Sequence, residues 1–154
     1  MDNTTLTATV ARVLSRVLED ASFVFTDDMP DTARTGALLE GSIGVSLTFT
    51  GERRGTFRLW GAPAFAALLA ANMTGVDAES PLALEKGADA MKEILNIIVG
   101  NALTELYGTS AVFDLGIPQT AAAALLDADR RRPDAVWLMA EEYPLLCVAE
   151  VGDG

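Results

Sequence analysis

The chain has 154 residues, half of them hydrophobic, and 22 acidic against 11 basic side chains give it a net charge of -11. That length supports one core-bearing domain, residues 1–154, and is too short for two ordinary ones. The negative surface repels a nucleic-acid backbone or an anionic membrane, and the absence of histidine removes Ser-His and Cys-His machinery and the commonest transition-metal ligand.

The N-terminal MDNTTLTATVARVL lacks the basic start of a secretory signal, and no apolar stretch reaches the roughly 18 residues of a membrane span, so a cytoplasmic location is expected. Residues 5–20 predict a first helix, with Leu6, Val10, Val13, Leu14, Val17 and Leu18 on one face. SFVF (22–25) predicts a short strand, followed by a turn at TDDMPD. Asp27, Asp28 and Asp31 in that turn resemble a carboxylate metal motif, but without a second acidic cluster they read as a polar loop. Gly41-Ser42-x-Gly44 is no nucleophile elbow, because no histidine exists to activate the serine.

Ile43 to Thr50 alternates apolar with small or polar residues, the pattern of a strand with one covered face. GERRG (51–55) predicts a turn into TFRLW and hence a hairpin. Pro63 starts an Ala-rich helix to about Met73, which Gly75 is placed to end. Ser80-Pro81 caps a second helical region, which Gly87 is expected to break or bend and which stops near Tyr107-Gly108.

Beyond it come a strand at AVF (111–113), Pro118, the apolar QTAAAALL and a polar loop, DADRRRPD, in which Arg130, Arg131 and Arg132 read as solvated. VWLMA and LLCVAEV, separated by EEYP, predict a closing hairpin that holds the single Cys147 as a buried thiol. Helix, strand and hairpin thus occur twice, which predicts an α+β fold: a largely antiparallel sheet with two long helices packed on it, built from pseudo-duplicated halves.

The long helix carries the chemistry. Asp89, Glu93 and Asn96 fall at i, i+4 and i+7, within about 60° of arc, while Met91, Ile94, Leu95, Ile98, Ala102 and Leu106 cluster on the opposite, core-facing side. Gly100 extends the polar stripe by one turn, where its missing side chain would admit another backbone. By spacing alone this stripe either solvates an amphipathic helix or does chemistry with a carboxylate and an amide.

The run Asp89-x-x-x-Glu93-Ile94-x-Asn96-Ile97-x-x-Gly100-Asn101-Ala102 resembles the signature helix of the CheC/CheX/FliY family of chemotaxis phosphatases. The resemblance extends over residues 36–151, its specific part being the helix; Pro118 falls slightly earlier than the family's loop proline. Aligning SFVF with SAVF sets Thr5 and Ala8 opposite Glu93 and Asn96. One site therefore survives, as in the one-site CheX members.

The resemblance implies a phosphatase that hydrolyses the aspartyl phosphate of a CheY-type response regulator. Asn96 would orient the attacking water, since an amide oxygen can accept a hydrogen from it with no histidine involved, and positioning is the main lever on phosphoryl transfer. Glu93 would pair with the regulator's active-site lysine, with Asp89 and Gly100 in supporting contact with the partner. No cofactor or metal of its own is implied; Mg2+ is expected on the receiver, and a homodimer is plausible. The rivals are a non-catalytic adaptor that binds a receiver or motility component, and an oligomerising domain whose stripe faces water.

Overall fold

The computed structural model describes residues 2–34 and 41–153; positions 36–40 of the resembling span lie outside them. The first helix, α1 (Asn3–Ser22), starts where the Asp2 side chain accepts a hydrogen bond from Thr5 N at 2.9 Å. Its predicted apolar face, from Leu6 to Leu18, is buried. SFVF is not a strand. Ser22 closes the helix and Phe23 caps it in the left-handed region (φ 56°), its N–H reaching back to Glu19 O. The strand β1 begins later, at Thr26–Asp28, so Asp27 and Asp28 pair with a neighbouring strand instead of turning, and Asp31 opens the short helix α2 (Asp31–Arg34).

The hairpin of β2 (Ile43–Gly51) and β3 (Arg53–Gly61) forms with Phe49 opposite Gly55. The turn is tighter than GERRG suggests. Residues 53–55 stay extended because β3 pairs along its length with β7 (Tyr143–Asp153), from Arg53 opposite Asp153 to Gly61 opposite Leu145. AVF contributes only Phe113 to β4 (Phe113–Leu115), which lies with β5 (Gln119–Thr120) on the outer side of β2. With β6 (Val136–Ala140) against β7, the described residues form one antiparallel seven-stranded sheet, in the order β1-β6-β7-β3-β2-β4 with β5 beside β2. Exchanging β1, β2 and β3 with β4, β6 and β7 reproduces this order from the opposite edge.

On one face lie α1 and two further helices, α3 (Pro63–Thr74) and α4 (Pro81–Tyr107). Gly75 ends α3 at φ 79°, a conformation that suits glycine. Ser80 caps α4, Pro81 occupies its first turn, and the helix runs without a break through Gly87. The reason Gly87 is tolerated is packing: a Cβ there would lie 2.8 Å from the Cβ of Ala66, so its absence lets α3 and α4 approach. Beneath them Leu14, Leu47, Phe57, Leu59, Met91 and Ile94 form the fully buried core, with Leu106 half-buried at its margin.

The opposite face of the sheet is covered as well. Trp60, Trp137, Leu146 and Val148 project there and meet Met29 and Leu126. Leu126 belongs to α5 (Leu125–Arg130), so the DADRRRPD segment is not simply a solvated loop: it holds part of a helix, and Asp129 is only 2% exposed. Burying apolar side chains of this size contributes about 1.5–3 kcal/mol each, which is why a short segment rich in alanine and leucine settles over two tryptophans.

Candidate functional site

α4 is held rigidly by its neighbours. Its buried side packs on the sheet, Gly87 seats it against α3, and Glu105 near its end takes hydrogen bonds from Arg12 (2.6 Å) and Arg16 (2.8 Å) of α1. Those guanidiniums, Arg16 foremost, hold the Glu105 carboxyl below its ordinary range. Asn101 spends its amide within the fold, donating to Ile97 O at 2.8 Å and accepting from Arg16 at 3.5 Å.

Glu93 and Asn96 differ from these groups. Both are exposed, and among the described residues neither makes a hydrogen bond or an ion pair. Asp89, one turn before Glu93, is exposed and lies 3.8 Å from Lys92, a solvated contact of little energetic weight. Gly100 is half-buried, and a Cβ on it would meet nothing within 4 Å. The close approach foreseen at Gly100 is therefore not made among the described residues, whereas Gly87 makes one.

Beside the stripe runs a groove of about 240 Å³ between α3 and α4, lined by Met73 and Thr74 on one side and by Lys86, Asp89 and Glu93 on the other. Asp89 and Glu93 meet at this groove; Asn96 stands beyond its end, on the next turn. Lys86 was not singled out by the sequence reading, although it lies three residues before Asp89 on the same stripe. At the corresponding positions of α1, Thr5 and Ala8 are exposed and form no second carboxylate–amide pair.

The sheet's opposite face holds a polar cluster of another kind. Asp129 accepts from Arg58 Nε at 2.7 Å, from Arg58 Nη2 at 2.8 Å and from Trp60 Nε1 at 2.8 Å. Arg58 also reaches Glu150 at 2.8 Å, and Arg132 joins Glu150 (2.6 Å) to Asp134 (3.0 Å). The hydrogen bond to Asp129 is the main reason Arg58 holds its proton still more firmly than usual. Arg132 is thus tied into the fold, while Arg131 is exposed and paired with Asp127 at 3.3 Å. Burial, aided by the charge of Asp129, pushes the Cys147 thiol up to about 12, so it is an inert core residue. Asp27, Asp28 and Asp31 do not converge, and among the described residues no group of three His, Cys, Asp or Glu side chains could hold a metal ion. No described helix is long and apolar enough to cross a membrane.

An antiparallel sheet with helices packed on one face is a fold shared with solved chemotaxis proteins. CheX from Vibrio vulnificus superposes with a TM-score of 0.70 at 15% identity, over 99% of this chain and 99% of that one. CheX in a CheX–CheY–BeF3–Mg2+ complex from Borrelia burgdorferi gives 0.67 at 16% identity, over 95% and 97%. FliY from Thermotoga maritima is more distant, at 0.51 and 16% over 97% and 84%. No curated protein sequence matches the chain. The family model for the chemotaxis phosphatase CheX matches residues 43–138, well over half of the chain and including the whole Asp89–Gly100 stripe. The chain belongs to the CheX family.

Proposed function

We propose that this protein is a cytoplasmic phosphatase that hydrolyses the aspartyl phosphate of a CheY-type response regulator and so ends a chemotaxis signal. The observation that carries the reading is the state of two side chains on α4. Glu93 and Asn96 are exposed and, among the described residues, unpaired, whereas Asn101 and Glu105 on the same helix are engaged within the fold. An unused carboxylate and amide, one turn apart on a rigid helix, form a pre-positioned pair for a partner's pocket.

In the proposed reaction the receiver supplies the acyl phosphate, and the Mg2+ bound there neutralises phosphate charge. Asn96 Oδ1 accepts a hydrogen bond from water and holds its lone pair in line with phosphorus. The water oxygen bonds to phosphorus as the bond to the aspartyl oxygen breaks, leaving inorganic phosphate and a free receiver carboxylate. Glu93 accepts a charge-assisted hydrogen bond from the receiver's lysine and fixes α4 on the pocket. Asp89 and Gly100 border the docked surface. Support for the partner comes from the Borrelia burgdorferi relative, which forms a complex with CheY. The symmetric strand order supports an origin of the two halves by duplication; a homodimer is part of the same reading.

The test follows phosphate release from a phosphorylated CheY-type receiver, with and without the protein. Acceleration that Asn96→Ala reduces by about 10²-fold is expected, the scale of losing one preorganised catalytic group. Glu93→Ala should weaken binding and rate together. Binding without acceleration would make the protein an adaptor, and equal rates for wild type and both variants would end the phosphatase reading.

A further inference from the structure

The proposed reaction leaves an electrostatic problem: a chain of net charge -11 must meet a pocket that holds Mg2+ beside an acyl phosphate, and such pockets are lined by carboxylates. Net charge opposes that encounter. Any remedy has to be local and must lie near Glu93.

The structure offers one candidate. Most cations of the chain are taken up internally: Arg12 and Arg16 by Glu105, Arg58 by Asp129, Arg53 by Asp153, Arg131 by Asp127 and Arg132 by Asp134. Among the described residues, Lys86 and Arg54 are the side-chain cations with no ion pair or hydrogen bond. Arg54 is on the β2–β3 hairpin and does not line the α3–α4 groove. Lys86 is exposed, lines the α3–α4 groove together with Asp89 and Glu93, and precedes Glu93 by seven residues. Seven residues are about two turns and roughly 10 Å along the axis, so both side chains leave the helix in nearly the same direction.

We propose that Lys86 is a docking residue that recognises a carboxylate on the rim of the receiver's phosphorylation pocket, about two helical turns from the lysine that Glu93 engages. This rests on the phosphatase reading. The pair of contacts has opposite polarity: Glu93 offers a negative group to a cation, and Lys86 a positive group to an anion. A two-point contact of this kind selects a partner that presents a cation and an anion at this spacing, which a single ion pair does not do. At physiological salt the Debye length is about 8 Å. The repulsion of distant acidic residues is then largely screened, and a cation in the interface outweighs them.

The experiment measures binding to a CheY-type receiver loaded with beryllofluoride and Mg2+, at several salt concentrations, beside phosphate release from the phosphorylated receiver. Lys86→Glu should raise Kd and KM by about tenfold or more and Lys86→Ala by a few-fold, Lys86→Arg should restore most of the affinity, and kcat at saturating receiver should stay within about twofold. The salt dependence of Kd should flatten in Lys86→Ala, a change that mere loss of folding would not produce. Unchanged Kd, KM and salt slope in Lys86→Glu would overturn the proposal; a loss of turnover in Asn96→Ala measured alongside would then leave the phosphatase reading intact. A wild-type protein that neither binds nor dephosphorylates the receiver would overturn both.

Discussion

The two faces of the sheet carry polar groups in opposite states. On the far face Asp129, nearly sealed from water, is matched atom for atom by Arg58 and Trp60, and on the helical face Glu93 and Asn96 stand in solvent with no partner among the described residues. Burial forces the first arrangement, because a charge out of water is tolerated only when it is paired and hydrogen-bonded. Nothing within the fold forces the second. A polar group whose identity the fold does not require is open to be set by a partner, and this is how the molecule separates what holds it together from what it offers outward.

The largest effect is expected at the buried end of this comparison. Asp129→Ala leaves the Arg58 guanidinium, 11% exposed, short of its main partner and takes the acceptor from Trp60 Nε1. A loss of about 3–5 kcal/mol is expected, the usual result of breaking a buried pair from one side. Urea denaturation should show a large fall in midpoint, and a loss below about 1 kcal/mol would mean that α5 is dispensable over Trp60. At the exposed end, Asn96→Ala should leave that midpoint unchanged or slightly raised, alanine being the better helix former, while raising the barrier to receiver dephosphorylation by about 2.7 kcal/mol, the equivalent of 10²-fold. A variant that loses stability in proportion to activity would place Asn96 with the structural groups and erase the distinction.

The sequence made the exposed half of the comparison legible and hid the buried half. Period-3.6 spacing puts Asp89, Glu93 and Asn96 on one stripe and Ile94, Leu95 and Ile98 opposite, and the structure repeats that division. Local spacing suffices because a helix fixes which side chains share a face. The Arg58–Asp129 pair spans 71 positions, and no local pattern connects a strand residue to an aspartate in a run that looks solvated. Strand ends were misread for a related reason. SFVF has strand-like composition, but Ser22 belongs to α1, and the next two positions, Phe23 and Val24, send their N–H groups back to Glu19 O and Leu18 O to cap that helix before β1. The strand order of the sheet, which reads alike from either edge, is a long-range feature that no local run of the sequence spells out.

Glycines on α4 sharpen the comparison at smaller amplitude. Gly87 faces inward, and a methyl group there would press on the Cβ of Ala66 at 2.8 Å and on its carbonyl carbon at 3.1 Å. Gly87→Ala should destabilise by about 1–3 kcal/mol through overpacking, despite alanine's better helix propensity. Thermal melts of the variant should show it directly, and an unchanged melting temperature would mean that α3 slides away at little cost.

Gly100 tests the opposite case with the same substitution on the same helix. A Cβ at this position meets nothing within 4 Å, so Gly100→Ala should follow helix propensity alone and stabilise the isolated protein by about 0.5–1 kcal/mol. The free chain therefore gives no reason for glycine at this point of the stripe. A docked receiver would give one: if its backbone crosses α4 one turn beyond Asn96, an added methyl group obstructs it. The expected outcome is a variant that melts higher yet binds a beryllofluoride-loaded receiver more weakly, by roughly the 1–3 kcal/mol of a steric intrusion into a packed contact. A variant that gains stability and keeps full affinity would show that the docked surface ends before Gly100, confining the interface to the groove, Glu93 and Asn96.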